Sequence, residues 1–328
     1  MKYQILHRSV YAYAEPVEGG LHVAVARPRS FRSFWRTQAC HTHALEVRPR
    51  PQVCRETLDA FGNHQSRFEV HRPHHELGVT ASSLVEVACG GGPGGAADPA
   101  VLDRSAPWEA VVAGARARLD AAGQAVLEQS LETALTPSAP ALRGYARESF
   151  TPGRPVAAAT LELARRIFED FAYDPAATDL STPVLRVFEQ RRGVCQDFAH
   201  LALAMLRGLG LPARYVSGYV RTGNDDTPVP PGGVTPPPDS GLVGSDASHA
   251  WVSVRLGEEE PGVDPSAAGW FDVDPTNAKL AGDEHVTLAW GRDYADVSPL
   301  KGVLVGGGSH SIRVSVSVRP VAADPAPG

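Results

Sequence analysis

The chain has 328 residues, a formal net charge of −6 and 43% hydrophobic residues. That is enough for two buried cores, and the mildly acidic balance excludes the strongly basic field of a nucleic-acid binder. No apolar run is long enough to span a membrane, and the N-terminus, Met1-Lys2-Tyr3-Gln4-Ile5-Leu6-His7, lacks the apolar core of a secretory signal, so the expectation is a soluble cytoplasmic protein without membrane partners. Cys40, Cys54, Cys89 and Cys195 are scattered, with no Cys-x-x-Cys pair, which argues for reduced thiols rather than a disulfide framework.

Residues 1–90 read as an all-β domain of sandwich-like or barrel form. Apolar residues alternate at Tyr3/Ile5, Leu21/Val23/Val25, Leu45/Val47 and Phe68/Val70, with turn signals at Gly19-Gly20 and Phe61-Gly62-Asn63. Its histidines, His41-x-His43 and His71-x-x-His74-His75, invite a metal reading. No cysteine or carboxylate stands at zinc-like spacing, however, and histidines on a surface strand are preferred; no metal or cofactor is expected.

Gly90-Gly91-Gly92-Pro93-Gly94-Gly95 marks a domain boundary, and 91–106 reads as a linker to a second domain at 107–320. Helical patterns follow over Trp108 to Ala121, Gln124 to Leu135 and Val156 to Phe171, the last with a stripe of Leu161, Leu163, Ala164 and Ile167. Ser138-Ala139-Pro140 reads as a turn between them.

The strongest helix starts at Cys195-Gln196-Asp197. Phe198, Leu201, Ala202, Met205 and Leu206 hold the i, i+3, i+4, i+7, i+8 spacing of a helix facing a core, with Gly193 before it and Gly208 and Gly210 after it. Cys195 therefore stands at a helix N-terminus, where unpaired N–H groups and the helix dipole favour a thiolate; Arg191 and Arg192 would act the same way if close. His200 is about 140° around the helix from Cys195, so it reads as packing rather than a base. Asp197 is explained by the N-terminal charge preference or by pairing with those arginines.

Pro212 to Val220 reads as a strand, and the proline-rich 221–245 as a flap over a site or an inert insertion. Ser248 to Leu256 reads as a half-buried strand with His249 at its start, and Trp270 to Asp274 as its antiparallel neighbour, ended by Pro275. With Ser253 opposite Trp270, Asp274 lies opposite His249. A cysteine at a helix start, a histidine at a strand start and an aspartate at the end of the next strand supply a nucleophile, its base and the carboxylate that orients the base. Asp272 shares the strand face and is the rival for the third role. Ser311 to Arg319 alternates Ile312, Val314, Val316 and Val318 and is expected to complete the same sheet, with 321–328 as a frayed tail.

Gly193-Val194-Cys195-Gln196-Asp197, Pro212-Ala213-Arg214-Tyr215-Val216-Ser217-Gly218-Tyr219, His249-Ala250-Trp251-Val252 and Asp272-Val273-Asp274-Pro275-Thr276-Asn277 resemble, in order, the core of the bacterial transglutaminase-like superfamily. Phe61-Gly62-Asn63 and Gly291 to Val303 resemble segments that bacterial members also carry. The resemblance implies an α+β, papain-like core behind the β-rich domain, a triad of Cys195, His249 and Asp274, and Asp274 rather than Asp272 as the third member. It implies an oxyanion site built from the cysteine N–H and one further donor, with Tyr173 at the family position; Gln196 and Trp251 are further candidates for the substrate or oxyanion side.

The expected activity is thiol-dependent acyl transfer or hydrolysis at a peptide, isopeptide or glutamine side-chain amide, through a thioester. Hydrolysis is preferred over transfer to an amine, since nothing marks an amine site. No Asp-x-Asp-x-Asp-Gly loop is present, so calcium control is not implied. The alternative is a catalytically silent binding module of the same fold.

Overall fold

A computed structural model describes residues 1–89, 99–221, 248–257 and 267–321, and its fold is α+β: two large sheets, a two-stranded parallel pair and a helical layer. In β1 (Lys2–Ala24), Tyr3, Ile5, His7 and Ser9 are buried while Lys2, Gln4, Leu6 and Arg8 are exposed, the period of a strand with one wet face. After it come β2 (Phe31–Arg32), β3 (Arg36–Arg48), β4 (Val53–Leu58), β5 (His64–Val70) and β6 (His74–Cys89). They pair antiparallel in the order β2-β3-β6-β1-β5-β4 as a half-barrel. Gly19-Gly20 is no turn: it lies inside β1, where a register shift between Val17 and Gly19 lets the strand bend while pairing continues.

Part of the expected linker, 91–98, lies outside the described residues, as does Gly90 before it; the rest contains α1 (Pro99–Arg104). The helical layer continues with α2 (Trp108–Ala117), α3 (Ala121–Glu128), α4 (Pro140–Ser149) and α5 (Val156–Asp170), then β7 (Ala172–Tyr173), α6 (Val184–Gln190), β8 (Arg192–Gly193) and α7 (Cys195–Gly208). Ser138 and Ala139 lie between helices, and Pro140 opens α4 in its first turn, where the missing N–H costs nothing. From Asp197 to Arg207 every residue of α7 is buried, so α7 is the central post of the domain rather than a one-sided surface helix. It ends in a Schellman motif: Gly210, at φ +87°, donates to the Arg207 carbonyl, Leu211 donates to that of Leu206, and both leucines are fully buried.

The second sheet holds β9 (Ala213–Val220), β10 (His249–Arg255), β11 (Trp270–Asp274), β12 (Lys279–Leu280) and β13 (His285–Gly291), in the antiparallel order β12-β11-β10-β9-β13. Strand β10 is buried along its whole length, not half-buried as its alternation suggested. Polar Ser253, Arg255 and Asp272 are all buried; the first domain covers Asp272 with Arg36, whose Nη1 lies 3.3 Å from Asp272 Oδ2, while Arg255 is held by the Ala268 carbonyl. The segment expected as a flap, 221–245, falls outside the described residues from 222 on.

After α8 (Tyr294–Val297) come β14 (Leu300–Gly306) and β15 (His310–Val321). Here the expectation fails: β15 does not complete the second sheet. Both strands pair with β1, β15 with Ile5 opposite Val318 and His7 opposite Val316. Alternation reveals that a strand has one buried face but not which sheet it joins. Residues 322–328 of the expected tail lie outside the described residues.

The two sheets meet at β13, an edge strand whose outer N–H and C=O groups need partners. Side-chain amides from the first domain provide them. Gln38 accepts from Thr287 N at 2.8 Å and donates to Thr287 O at 2.6 Å; Asn63 accepts from Trp290 N at 3.0 Å and donates to Trp290 O at 2.8 Å. Each amide substitutes for one residue of a neighbouring strand. No helix among the described residues is long and apolar enough to cross a membrane.

Candidate active site

Cys195 opens α7 and is 9% exposed. Its setting is built by Asp197, whose Oδ2 accepts from Val194 N at 2.8 Å and from the Thr178 hydroxyl at 2.6 Å, occupying the N–H just before the cysteine. Gly193 is required there, since a Cβ would lie 2.7 Å from Asp197 Oδ2. Neither arginine pairs with Asp197. Arg191 lies over the rings of Phe188 and Phe171, at 4.3 and 4.5 Å, and Arg192 turns to Asp174 at 3.5 Å. Their expected help to the thiolate is therefore not built into contacts around Asp197.

Tyr173 is placed beside this loop by the β7–β8 pair, in which it stands opposite Gly193 and Asp174 N donates to the Gly193 carbonyl at 2.9 Å. It is 37% exposed. Burial first, then the charges of Cys195 and Asp197, push its pKa up to about 12, so the phenol keeps its proton.

His249 begins β10 opposite Gly218 of β9. The tight packing needs that glycine: a Cβ there would run into the Val286 carbonyl and the Trp251 ring. The β10–β11 register differs from expectation by two residues. Ser253 faces Asp272, so Asp274 is diagonal to His249 rather than opposite, and His249 Nε2 still meets Asp274 Oδ2 at 2.8 Å. The opposing nitrogen, Nδ1, is buried without a hydrogen-bond partner, and Cys195 is among the groups whose influence raises the pKa of the ring.

Asp274 is locked in place. Oδ1 accepts from Thr276 N at 2.8 Å and Asn277 N at 3.3 Å, an Asx turn written by Asp-Pro-Thr-Asn. Oδ2 accepts from His249 Nε2, from Asn277 Nδ2 at 2.7 Å and from His285 Nε2 at 3.2 Å. Burial alone would raise this acid, but His249, by charge and hydrogen bond, and His285 outweigh it and hold the carboxyl well below the usual range. Burial likewise opposes charge on His249, yet the Asp274 carboxylate and Cys195 prevail and raise its pKa. Each member of this buried pair favours the charged form of the other.

His249, Asp274 and His285 are also the ligand grouping among the described residues that could hold a metal. Their present geometry is that of hydrogen bonds: His285 Nδ1 accepts from Gly282 N at 3.2 Å, so its Nε2 carries the proton and donates to Asp274. The first-domain histidines have other partners: Glu86 for His41, Ser83 for His43, Glu69 for His71 and the Arg72 carbonyl for His74.

The remaining candidates separate by exposure. Gln196 is half-buried next to Cys195. Trp251 is 0% exposed and packs edge-on against His285 at 5.3 Å and near His249 at 6.1 Å. It cannot line an open substrate surface and instead holds the two rings. His200 is a packing residue, its ring 5.1 Å from that of Tyr215 and its Nε2 accepting from Tyr294 N. Sequence reading missed His285 and the partner role of Asn277. The Asn of Asp-Pro-Thr-Asn was a usable signal for the latter, and the alternation of His285, Thr287 and Ala289 could have exposed β13.

Residues 3–86 match the bacterial transglutaminase-like N-terminal region and residues 143–275 match the transglutaminase-like superfamily core. The chain belongs to the transglutaminase-like superfamily. An uncharacterised protein of Mycobacterium tuberculosis is 35% identical over 328 residues, 98% of this chain and 94% of its own length. A protein-glutamine gamma-glutamyltransferase of Pseudomonas aeruginosa is 32% identical over 142 residues, 43% of this chain and 18% of that enzyme. The crystal structure of a candidate cysteine protease from Cytophaga hutchinsonii shares the fold across 99% of this chain and 93% of its own, with a TM-score of 0.66 and 20% identity. Membership in this superfamily supports thiol-dependent acyl transfer or hydrolysis as the general class of chemistry.

Proposed function

We propose that the protein cleaves or transfers an acyl group at a peptide, isopeptide or glutamine side-chain amide, with Cys195 as nucleophile, His249 as acid and base, and Asp274 as the carboxylate that orients and charges His249. The observation that supports this reading is His249, held by one nitrogen on Asp274 at 2.8 Å with the other buried and left without a partner, in a ring whose pKa Cys195 helps to raise. The sulfur forms a bond to the amide carbon, and the carbonyl oxygen takes negative charge. The Cys195 N–H, at a helix start, and the protonated Tyr173 hydroxyl are the proposed donors to that oxygen. His249 Nδ1 gives its proton to the leaving nitrogen as the C–N bond breaks, leaving a thioester. Water, or an amine, then attacks while His249 takes its proton, and the sulfur departs.

Water is the preferred acceptor because it is always present. The Pseudomonas relative's name keeps a glutamine donor and an amine acceptor in the same test. That test follows Cys195 alkylation by iodoacetamide across pH, in wild type and His249→Ala, alongside release of ammonia or amine from glutamine and isopeptide peptides. Alkylation persisting well below pH 8 and lost in His249→Ala, together with turnover, supports the reading. A Cys195 that reacts as a free thiol with a midpoint near about 8.5, with no turnover, sinks it and favours the silent binding module.

A further inference from the structure

His285 starts β13 with its ring fully buried. Two contacts settle its proton. The Gly282 N–H points at Nδ1 from 3.2 Å, so Nδ1 must be an acceptor, and the single proton sits on Nε2, 3.2 Å from Asp274 Oδ2. The Trp251 ring stands edge-on to it, at 84°, and blocks rotation. The charged groups facing the ring are Asp274 on β11, His249 on β10 and Arg36 on β3; burial first, with His249 and Arg36, keeps it neutral against the pull of Asp274.

The first domain reaches the same point. Arg36 Nη2 donates to the His285 carbonyl at 2.5 Å and to the Thr287 hydroxyl at 3.0 Å, and the Gln38 amide holds the Thr287 backbone. A run of contacts thus leads from β3 through the start of β13 to the carboxylate.

We propose that His285 is a positioning residue for Asp274: as a neutral donor it fixes Oδ2 where His249 meets it, and the first domain holds that donor in place through Arg36 and Gln38. The proposal rests on the reading of Cys195, His249 and Asp274 given above. A neutral donor suits the task, since it anchors the carboxylate while leaving its full charge to balance the His249 imidazolium. A cation at 285 would divide that charge between two rings.

The test uses the full chain and the pH dependence of Cys195 alkylation by iodoacetamide in wild type, His249→Ala, His285→Gln and His285→Asn. The Gln amide nitrogen reaches about as far as imidazole Nε2, and the Asn amide falls one methylene short. His285→Gln is expected to keep the wild-type acid midpoint. His285→Asn is expected to move it upward and to slow alkylation at pH 6 by about ten- to a hundredfold, as for a lost outer partner of a site residue. With a substrate in hand, kcat falls and KM stays. Gln and Asn variants that behave alike while folded overturn the proposal. A second measurement needs no variant: nitrogen-15 NMR of wild-type histidines is expected to show His285 as the neutral Nε2–H form at pH 7, and an Nδ1–H form or a cation there overturns the proposal equally. If wild-type Cys195 reacts as a free thiol and His249→Ala changes nothing, the function reading has failed instead, and the NMR result shows separately whether the donor exists.

Discussion

His249 Nε2 lies 2.8 Å from Asp274 Oδ2 across a diagonal of the β10–β11 pair, and neither side chain has any exposure to solvent. A diagonal pair is longer than a direct one and needs long or ring side chains to close it. Imidazole and a carboxylate held by its own Asx turn close it here. Because both partners are buried, the charge on each is kept by the other, and removing one strands its mate.

Asp274→Asn tests this. The Asn oxygen can still accept from the Thr276 and Asn277 N–H groups, but its NH2 must then face donors from His249, Asn277 and His285. The expected outcome is a loss of at least about a hundredfold in kcat/KM and of roughly 1–3 kcal/mol in stability from donors left without acceptors. Peptide turnover and urea unfolding check the two.

The chemistry of the site was largely legible in the chain, and its geometry only partly so. Strand parity placed His249, Asp272 and Asp274 on one face, and a two-residue shift of register preserves parity, so the face survived although the expected opposition of Asp274 and His249 did not. No local pattern encodes what a loop such as 257–269 does to register. The same blindness hid the partner of β15, which joins β1 from the far end of the chain. Buried charge is hidden for a related reason: nothing near Asp272 in sequence signals the Arg36 that meets it from the first domain. His285 was missed because its role depends wholly on Gly282 and Asp274 meeting it in space.

Asn63 is expected to matter more for domain assembly than its place in a turn suggests. It satisfies both backbone groups of Trp290 and donates to Asp59 Oδ2 at 2.8 Å, and it is 0% exposed. Asn63→Ala leaves those groups buried and unpaired, at about 1–3 kcal/mol each if no rearrangement relieves them. A lower denaturant midpoint with unchanged slope is the expected signature.

Gly218→Ala is expected to be worse than an ordinary glycine substitution. The new Cβ would meet the Val286 carbonyl and, at 2.7 Å from Cζ3, the Trp251 ring, neither of which is the end of a flexible chain. Opening the β9–β10 pair at this point moves His249, which is opposite. Overpacking of about 1–3 kcal/mol or more should appear as a lower melting temperature together with lost alkylation at low pH.

Acid should weaken the fold through His7 and His200. Each is 5% exposed, and burial lowers each pKa to about 4, with Asp293 and Arg207 as smaller influences on His200. The sign follows from proton uptake: below pH 6.5 the unfolded chain binds these protons while the folded chain refuses them until about 4, so stability is whole above 6.5 and falls between those values. Each group contributes up to roughly 3 kcal/mol to that fall. His7→Asn, whose amide stands where Nδ1 does and can still bond the Tyr219 hydroxyl now 2.9 Å from it, should flatten the slope of unfolding free energy against pH over this window. An unchanged slope refutes the assignment to His7.

Tyr173→Phe separates transition-state support from packing. The side chain is exposed and placed by the β7–β8 pair through backbone contacts that phenylalanine retains, so stability should change by less than about 1 kcal/mol. The hydroxyl is the only part lost, and its pKa, pushed up to about 12, leaves it a donor throughout the working range. If that donor serves the oxyanion, kcat drops by about ten- to a thousandfold while KM and the iodoacetamide profile of Cys195 stay as they are, because neither binding nor alkylation develops charge on a carbonyl oxygen. A fall in KM-dependent binding with kcat unchanged would place Tyr173 on the substrate side instead, and no change in either would return it to packing.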